Sequence, residues 1–233
     1  MTVRSYMTGY QRNTSRKAGT SMSTPKQQYH KNLANSLIDK FNKRGIEGYY
    51  CETKEEALLA AKRFLTPGCS VSWGGSMTLE EIGLIADLKN SDYTVYDRMT
   101  AKTPEEQDAL YAEVSHCDYY FMSTNALTLN GELVNIDGRG NRLASLIHGP
   151  KNVIIVAGMN KISTNLDAAM ERVRNIAAPP NCIRLGIDTP CAKFGRCVDC
   201  LDANCICCNT VITRMSKIRG RIKVILVGET LGY

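Results

Sequence analysis

Short runs of β-branched and aromatic residues, separated by amphipathic segments that open on threonine, predict an α/β fold with a largely parallel sheet. The apolar runs have strand length, and none approaches the twenty or so residues a membrane span needs. A hydrophobic fraction of 43% over 233 residues can also bury a full core.

The elements follow in order. Thr24-Pro-Lys-Gln27 is a capping box with proline at the first helical position, and Leu33, Leu37, Ile38 and Phe41 form one apolar stripe. Lys43-Arg44-Gly45 ends that helix, and Ile46–Cys51 reads as a strand. Thr53-Lys-Glu-Glu56 opens a second helix to about Leu65, which Pro67-Gly68 stops. Cys69–Trp73 is a short strand, and Thr78-Leu-Glu-Glu81 is read as the next cap. Tyr93–Tyr96, a helix capped by Thr103-Pro-Glu-Glu106, and a strand at Tyr119–Met122 complete the alternation. A hairpin then interrupts the sheet: in Leu127-Thr-Leu-Asn-Gly-Glu-Leu-Val, Asn130-Gly131 predicts a type I′ turn. Asp137-Gly-Arg-Gly140 makes a tight turn, Asn141–Ile147 a short helix, and Asn152–Ala157 a buried strand.

Residues 1–24 are expected to be a disordered tail, with Met22 a candidate initiator. Arg4, Arg12, Arg16 and Lys17 supply much of the net charge of +6; the remaining 25 basic residues against 23 acids leave only +2. Nothing in that balance argues for nucleic acid. The first residues lack the apolar stretch of a secretion signal, so a cytoplasmic location is expected.

Six of the ten cysteines fall within Cys191 to Cys208, spaced C-x5-C-x2-C-x4-C-x-C-C. A C-x-x-C step lets two thiolates meet one metal, and no histidine lies inside the segment. All-sulfur ligation favours zinc or an iron–sulfur cluster over magnesium or calcium. Thiol redox chemistry and disulfides are the competing readings, although disulfides suit short secreted chains better.

Several segments resemble the lactate-utilisation (LUD) domain family. They are Gly74-Gly-Ser-Met-Thr78, the run from Thr124 through Asn141-Arg-Leu-Ala, Gly149-Pro-Lys-Asn-Val-Ile-Ile-Val-Ala-Gly, the Asn160-Lys-Ile step, and Arg172-Val-Arg-Asn-Ile-Ala-Ala-Pro-Pro-Asn181. The resemblance covers roughly Lys26 to Tyr233, and implies a single domain over 25–233 that includes a cysteine-rich segment at 182–214. It implies a Rossmann-like layered sheet of the NagB/RpiA/CoA-transferase type. It also implies a link to bacterial oxidation of L-lactate alongside iron–sulfur partners. Cysteine-bearing relatives share a pattern that maps to Cys191, Cys197, Cys200 and Cys207, with Cys205 and Cys208 as extras. These four are the expected ligands of an Fe–S cluster, of the 4Fe-4S type in one form, or of zinc.

Two candidate sites follow. Gly74, Gly75, Ser76 and Thr78 join a strand to a helix, where small residues let backbone N–H groups approach an anion. Without the Lys-Ser/Thr of a P-loop, ATP hydrolysis is not expected. The second site gathers Asn125, Asn130, Glu132, Asn135, Asp137 and Asn141 at the hairpin and the next turn, with Glu132 and Asp137 as candidate catalytic carboxylates. Asn130 and Asp137 are equally explained as turn formers.

The leading expectation is a component of organic-acid oxidation that binds a small anion and an Fe–S cluster. A non-catalytic zinc module and a CoA-transferase or isomerase centred on Glu132 are the alternatives. Expected partners are a small anionic ligand, iron–sulfur redox proteins and a second copy of the chain, with no nucleic acid and no membrane. Arg214, Lys217, Arg219, Arg221 and Lys223 read as a solvated basic face.

Overall fold

The computed structural model describes residues 23–233, so most of the expected tail lies outside the described residues. Thr24 belongs to the fold. Its hydroxyl accepts from Gln27 N while the Gln27 side chain accepts from Thr24 N, closing the capping box that starts α1 (Pro25–Lys43).

After β1 (Glu47–Cys51), α2 (Lys54–Lys62) and β2 (Ser70–Trp73), the chain forms α3 (Met77–Glu81), α4 (Leu84–Lys89), β3 (Thr94–Tyr96), α5 (Pro104–His116) and β4 (Tyr119–Met122). The small second sheet begins with β5 (Ala126–Thr128) and β6 (Leu133–Asp137). Then come α6 (Asn141–Ile147), β7 (Asn152–Gly158), β8 (Ile162–Ser163) and α7 (Leu166–Arg172). A π-helical turn at Val173–Ala177 leads into α8 (Ala178–Arg184), α9 (Pro190–Phe194), β9 (Asn209–Thr213) and β10 (Ile222–Val227).

The main sheet has strand order β1-β10-β7-β4-β2-β3, and every pairing in it is parallel. Period-two alternation divides its side chains between two cores. Val153, Ile155, Val224 and Leu226 face α1, α5 and α6, whereas Ile154, Val156, Ile225 and Val227 face α2, α3 and α4. Strands buried on both faces explain the continuous apolar runs. The second sheet, β8-β5-β6-β9, carries Leu127 and Leu133 into the first core, while α7 covers Ala126, Val134 and Ile136.

Three local readings are corrected. Asn130 does not take positive φ. Gly131 N–H donates to Thr128 O at 2.8 Å and Thr128 N–H to Glu132 O at 3.0 Å, so the hairpin closes through a turn whose single left-handed residue is Gly131, φ +85°. The next cap is Ser76, whose hydroxyl accepts from Leu79 N at 3.3 Å, and not Thr78. The helix it starts breaks at Gly83, φ +76°. Arg221 is buried, not part of a solvated face: its guanidinium donates to the carbonyls of Ser145, Leu146 and Pro150 at and beyond the end of α6.

Candidate functional site

Between β2 and β4 the chain changes direction. From β2 it passes through α3 and α4 on one face to the edge strand β3, and returns through α5 on the other face to β4. A crevice opens at the carboxyl ends of strands where the winding reverses in this way. A cavity of about 380 Å³ occupies that position, walled by Trp73-Gly74-Gly75-Ser76 after β2 and Ser123-Thr124-Asn125 after β4.

Its wall is strongly basic. Arg98, Arg139, Arg142, Lys161 and Arg184 line it, against Asp137 as the one Asp or Glu among the described lining residues. One Asp137 oxygen already accepts from the N–H groups of Arg142 and Leu143 at 3.1 and 3.3 Å, fastening the start of α6. Arg142 is tied to protein oxygens on both terminal nitrogens: Asn135 Oδ1 at 2.8 Å and Ser123 O at 3.3 Å, Asn125 Oδ1 at 3.0 Å and Ile136 O at 2.6 Å. It is therefore a fixed positive charge. Arg98 makes no hydrogen bond or ion pair among the described residues, which leaves its donor fork for a ligand.

The glycine loop works by leaving space. A Cβ on Gly74 would meet Arg142 Cδ at 2.9 Å, and one on Gly75 would collide with the Arg98 guanidinium. Gly74 N–H is already paired with Phe121 O at 2.9 Å, and α3 is too short to carry much dipole. The loop's contribution is thus the close approach of the Arg142 side-chain stem and the Arg98 guanidinium, more than a cradle of amides.

The second predicted group is divided by the fold. Asn125, Asp137 and Asn141 line the cavity, Asn141 donating to the Tyr111 hydroxyl at 2.8 Å. Asn135 is buried behind them as the Arg142 acceptor, with its Nδ2 unpaired. Glu132 lies elsewhere. It pairs with Arg44 at 3.0 Å and accepts from Thr128 Oγ1 at the hairpin turn, outside the cavity wall. Paired in this way the carboxylate fastens the hairpin turn to α1, and the structure does not bring Glu132 into this cavity. Thr78 is buried behind the loop, where its hydroxyl accepts from Lys161 Nζ at 3.0 Å.

Lys161, Arg98 and Arg172 escaped the sequence reading. Lys161 is 4% exposed, and burial, together with Arg172 and Arg142, pulls its pKa down to about 7. Arg172 is buried too, donating to Asn160 O at 3.0 Å and to Asn125 O. Asn160-Lys-Ile was legible only as part of a family resemblance, because a single lysine carries no periodic signal. The far wall comes from the π-helical turn, through Val173 and Ala177, and from Ala178 and Asn181 of α8. Pro179 and Pro180 lack N–H donors for a regular α-helical ladder there, which accounts for the irregular turn just before them.

The cysteine segment reaches the same cavity: Ile206, between Cys205 and Cys207, is a lining residue. All ten cysteines are free thiols. Cys191 lies beside Cys182, a cysteine outside the cluster motif, at 3.6 Å between sulfurs, whereas Cys207 lies 2.9 Å from Cys205 Sγ. Burial and the neighbouring Cys205, Cys197 and Cys200 push the Cys207 thiol up, and burial with Cys191 and Cys205 nearby pushes Cys182 to about 11. Among the described residues no three His, Cys, Asp or Glu side chains converge closely enough to hold a metal ion. The donors have the right chemistry for a thiolate site, without the closed arrangement one requires.

No helix among the described residues is long and apolar enough to cross a membrane. A sequence model of the LUD domain matches residues 34–227, and the chain belongs to that family. No curated protein matches the sequence. A crystal structure of a DUF162 family protein from Deinococcus radiodurans shares the fold, with a TM-score of 0.50 at 15% identity, covering 85% of this chain and 98% of that one. A ribose 5-phosphate isomerase from Plasmodium falciparum aligns over 48% of this chain and 53% of its own, with 21% identity and a TM-score of 0.30. The eIF2B delta subunit from Chaetomium thermophilum aligns over 48% of each chain, with 17% identity and a TM-score of 0.33.

Proposed function

We propose that this LUD-domain protein binds a small organic anion in the cavity at its strand ends, as a component of bacterial L-lactate or related organic-acid oxidation. The observation that carries the reading is the charge of the wall: five basic side chains surround about 380 Å³, and the only Asp or Glu carboxylate among the described lining residues is already engaged. Like charges gathered around a concave wall raise the local concentration of an anion. Arg98 supplies the free donor fork, and Arg142 a fixed charge that the Gly74-Gly75 pair allows close to the loop.

The second part of the proposal places a thiolate-bound group at the cavity wall, an Fe–S cluster in first place and zinc as the alternative. Cys191, Cys197, Cys200 and Cys207 would hold it. Ile206, which lines the cavity between two cysteines, supports this reading. When bound, an Fe–S cluster supplies one-electron transfer, and iron–sulfur proteins are then the natural redox partners.

Isothermal titration calorimetry with L-lactate, pyruvate and phosphate tests the first part. Saturable binding that weakens in Arg98→Met supports it, and no binding of any anion overturns it. Anaerobic purification with elemental analysis tests the second. Stoichiometric iron and sulfide support the cluster, zinc supports a structural module, and neither metal removes the proposal.

A further inference from the structure

Lys161 is buried without a counter-ion. None of the ion pairs among the described residues includes it. Its Nζ donates to Thr78 Oγ1 at 3.0 Å and to Ser123 Oγ at 2.9 Å. Each hydroxyl gives its own proton to a backbone carbonyl, Thr78 to Leu231 and Ser123 to Thr124, so toward the lysine each acts as an acceptor. A neutral amine has two N–H donors and one lone pair. Both donors are matched here, and no described side chain claims the remaining position on a residue that lines the cavity.

The charges around it favour the neutral form. Burial is the largest influence, Arg172 and Arg142 add positive potential, and Glu81 alone opposes them. Desolvation and neighbouring cations are the conditions that turn a lysine into a nucleophile at neutral pH. Of the two arginines, Arg142 lines the cavity, as does Arg98, so a ligand with both a carboxylate and a carbonyl would meet complementary chemistry at each end.

We propose that Lys161 captures the carbonyl of a short oxo-carboxylate as an imine, with the carboxylate held by the arginines of the same cavity. This deepens, and rests on, the reading of the cavity as an organic-anion site. The nitrogen lone pair attacks the carbonyl carbon, and the π pair moves to oxygen. The carbinolamine then loses that oxygen as water with the two former amine hydrogens, and a C=N bond remains. No oxidant, reductant or metal enters the step. Protonation gives an iminium, which keeps one N–H for a flanking hydroxyl and whose positive charge attracts electron density from the adjacent carbon.

The test is reductive trapping of the full chain with pyruvate and sodium cyanoborohydride, read by intact mass and peptide mapping, with calorimetric titration of pyruvate alongside. A single adduct on Lys161, saturating with pyruvate, is expected. Its rate should rise about tenfold from pH 6 to pH 8 and level off above, as the amine passes through its lowered pKa. Lys161→Arg should give no adduct, and Arg98→Met should raise the half-saturating pyruvate concentration without moving the adduct. If Lys161→Arg does not fold, the peptide map of the unaltered chain decides alone. Calorimetric binding without an adduct on Lys161, or modification spread evenly over surface lysines, overturns the imine while leaving the anion site standing. Absence of both binding and adduct overturns the two together.

Discussion

The cavity is bounded on one side by the ends of a parallel sheet and on the other by the cysteine-rich segment, and different interactions hold the two sides. On the sheet side, Phe121, Ile154 and Leu79 are fully buried, and β4 hydrogen-bonds to strands on both edges. On the cysteine side, no helix or strand forms between Phe194 and Asn209, and Leu201 is 103% exposed. The bonds there are mostly local, such as Cys205 N–H to Asp202 O at 3.0 Å. A longer tie runs from Cys197 N–H to Asn175 Oδ1 at 3.0 Å, reaching the π-helical turn. Apolar burial fixes the sheet wall, whereas the stretch between Phe194 and Asn209 is held mainly by local hydrogen bonds.

The strongest way to break that contrast is to remove a thiol. On the thiolate-site proposal, Cys197→Ser and Cys200→Ser should each abolish metal binding and raise amide exchange across 195–208, with the thermal midpoint of the sheet core little changed. Cys208→Ser should be tolerated. Metal retained in both Cys197→Ser and Cys200→Ser would show that this motif is not the ligand set. The corresponding test on the sheet side is Phe121→Ala, which should cost about 3–5 kcal/mol in urea unfolding, as large-to-small changes in dense cores do. A cost near zero would mean that the core is looser than its burial implies.

Gly75→Val probes the boundary between packing and binding. The new side chain would collide with the movable end of Arg98, so anion affinity should fall by about tenfold while the thermal midpoint holds. A lost midpoint with unchanged affinity would reverse that assignment. The smallest effect expected is at Asp118, which accepts from Ser70 N–H and Oγ and pairs with Lys151 at 2.8 Å, joining the starts of β2 and β4. Led by the Lys151 bond, these contacts hold its pKa down to about 2. A depressed carboxylate stabilises above its unfolded value of about 4 and loses that contribution as pH falls toward 2. Asp118→Asn should therefore narrow the difference in urea midpoint between pH 5 and pH 2 only slightly, because the pair is largely exposed and screened. A large change would place more of the sheet's stability on that pair.

Much of the fold and part of the site were legible in the residues. Thr24 and Thr103 close both halves of their capping boxes as read, because a cap is made within four consecutive residues. Thr53 closes only half, since Glu56 accepts instead from Glu52 N. Gly74 and Gly75 were recognised as a loop that must admit something close, and Asn125, Asp137 and Asn141 do face the cavity. Glu132 lies apart from them; its place near the hairpin says nothing about Arg44, which is 86 or more residues away from the turn in sequence and reaches it from the end of α1. The strand β9 was missed: its residues are mostly exposed, and it exists through antiparallel pairing with β6 seventy-odd residues earlier.

The alternation of helices and strands from Thr24 to Ala157 and the thiol content of the cysteine segment depend on neighbours in sequence, and the chain by itself determined them. The convergence of Arg98, Arg142 and Lys161 on one cavity, with Arg172 near Lys161, depends on the reversal of winding at β2 and β4 and on loops far apart in sequence. So does the arrival of Ile206 at the same cavity, and so does the pKa of Lys161, which comes from burial and from charges that no local spacing records. Only the tertiary structure decided these, because desolvation and Coulomb interaction act through distance in space.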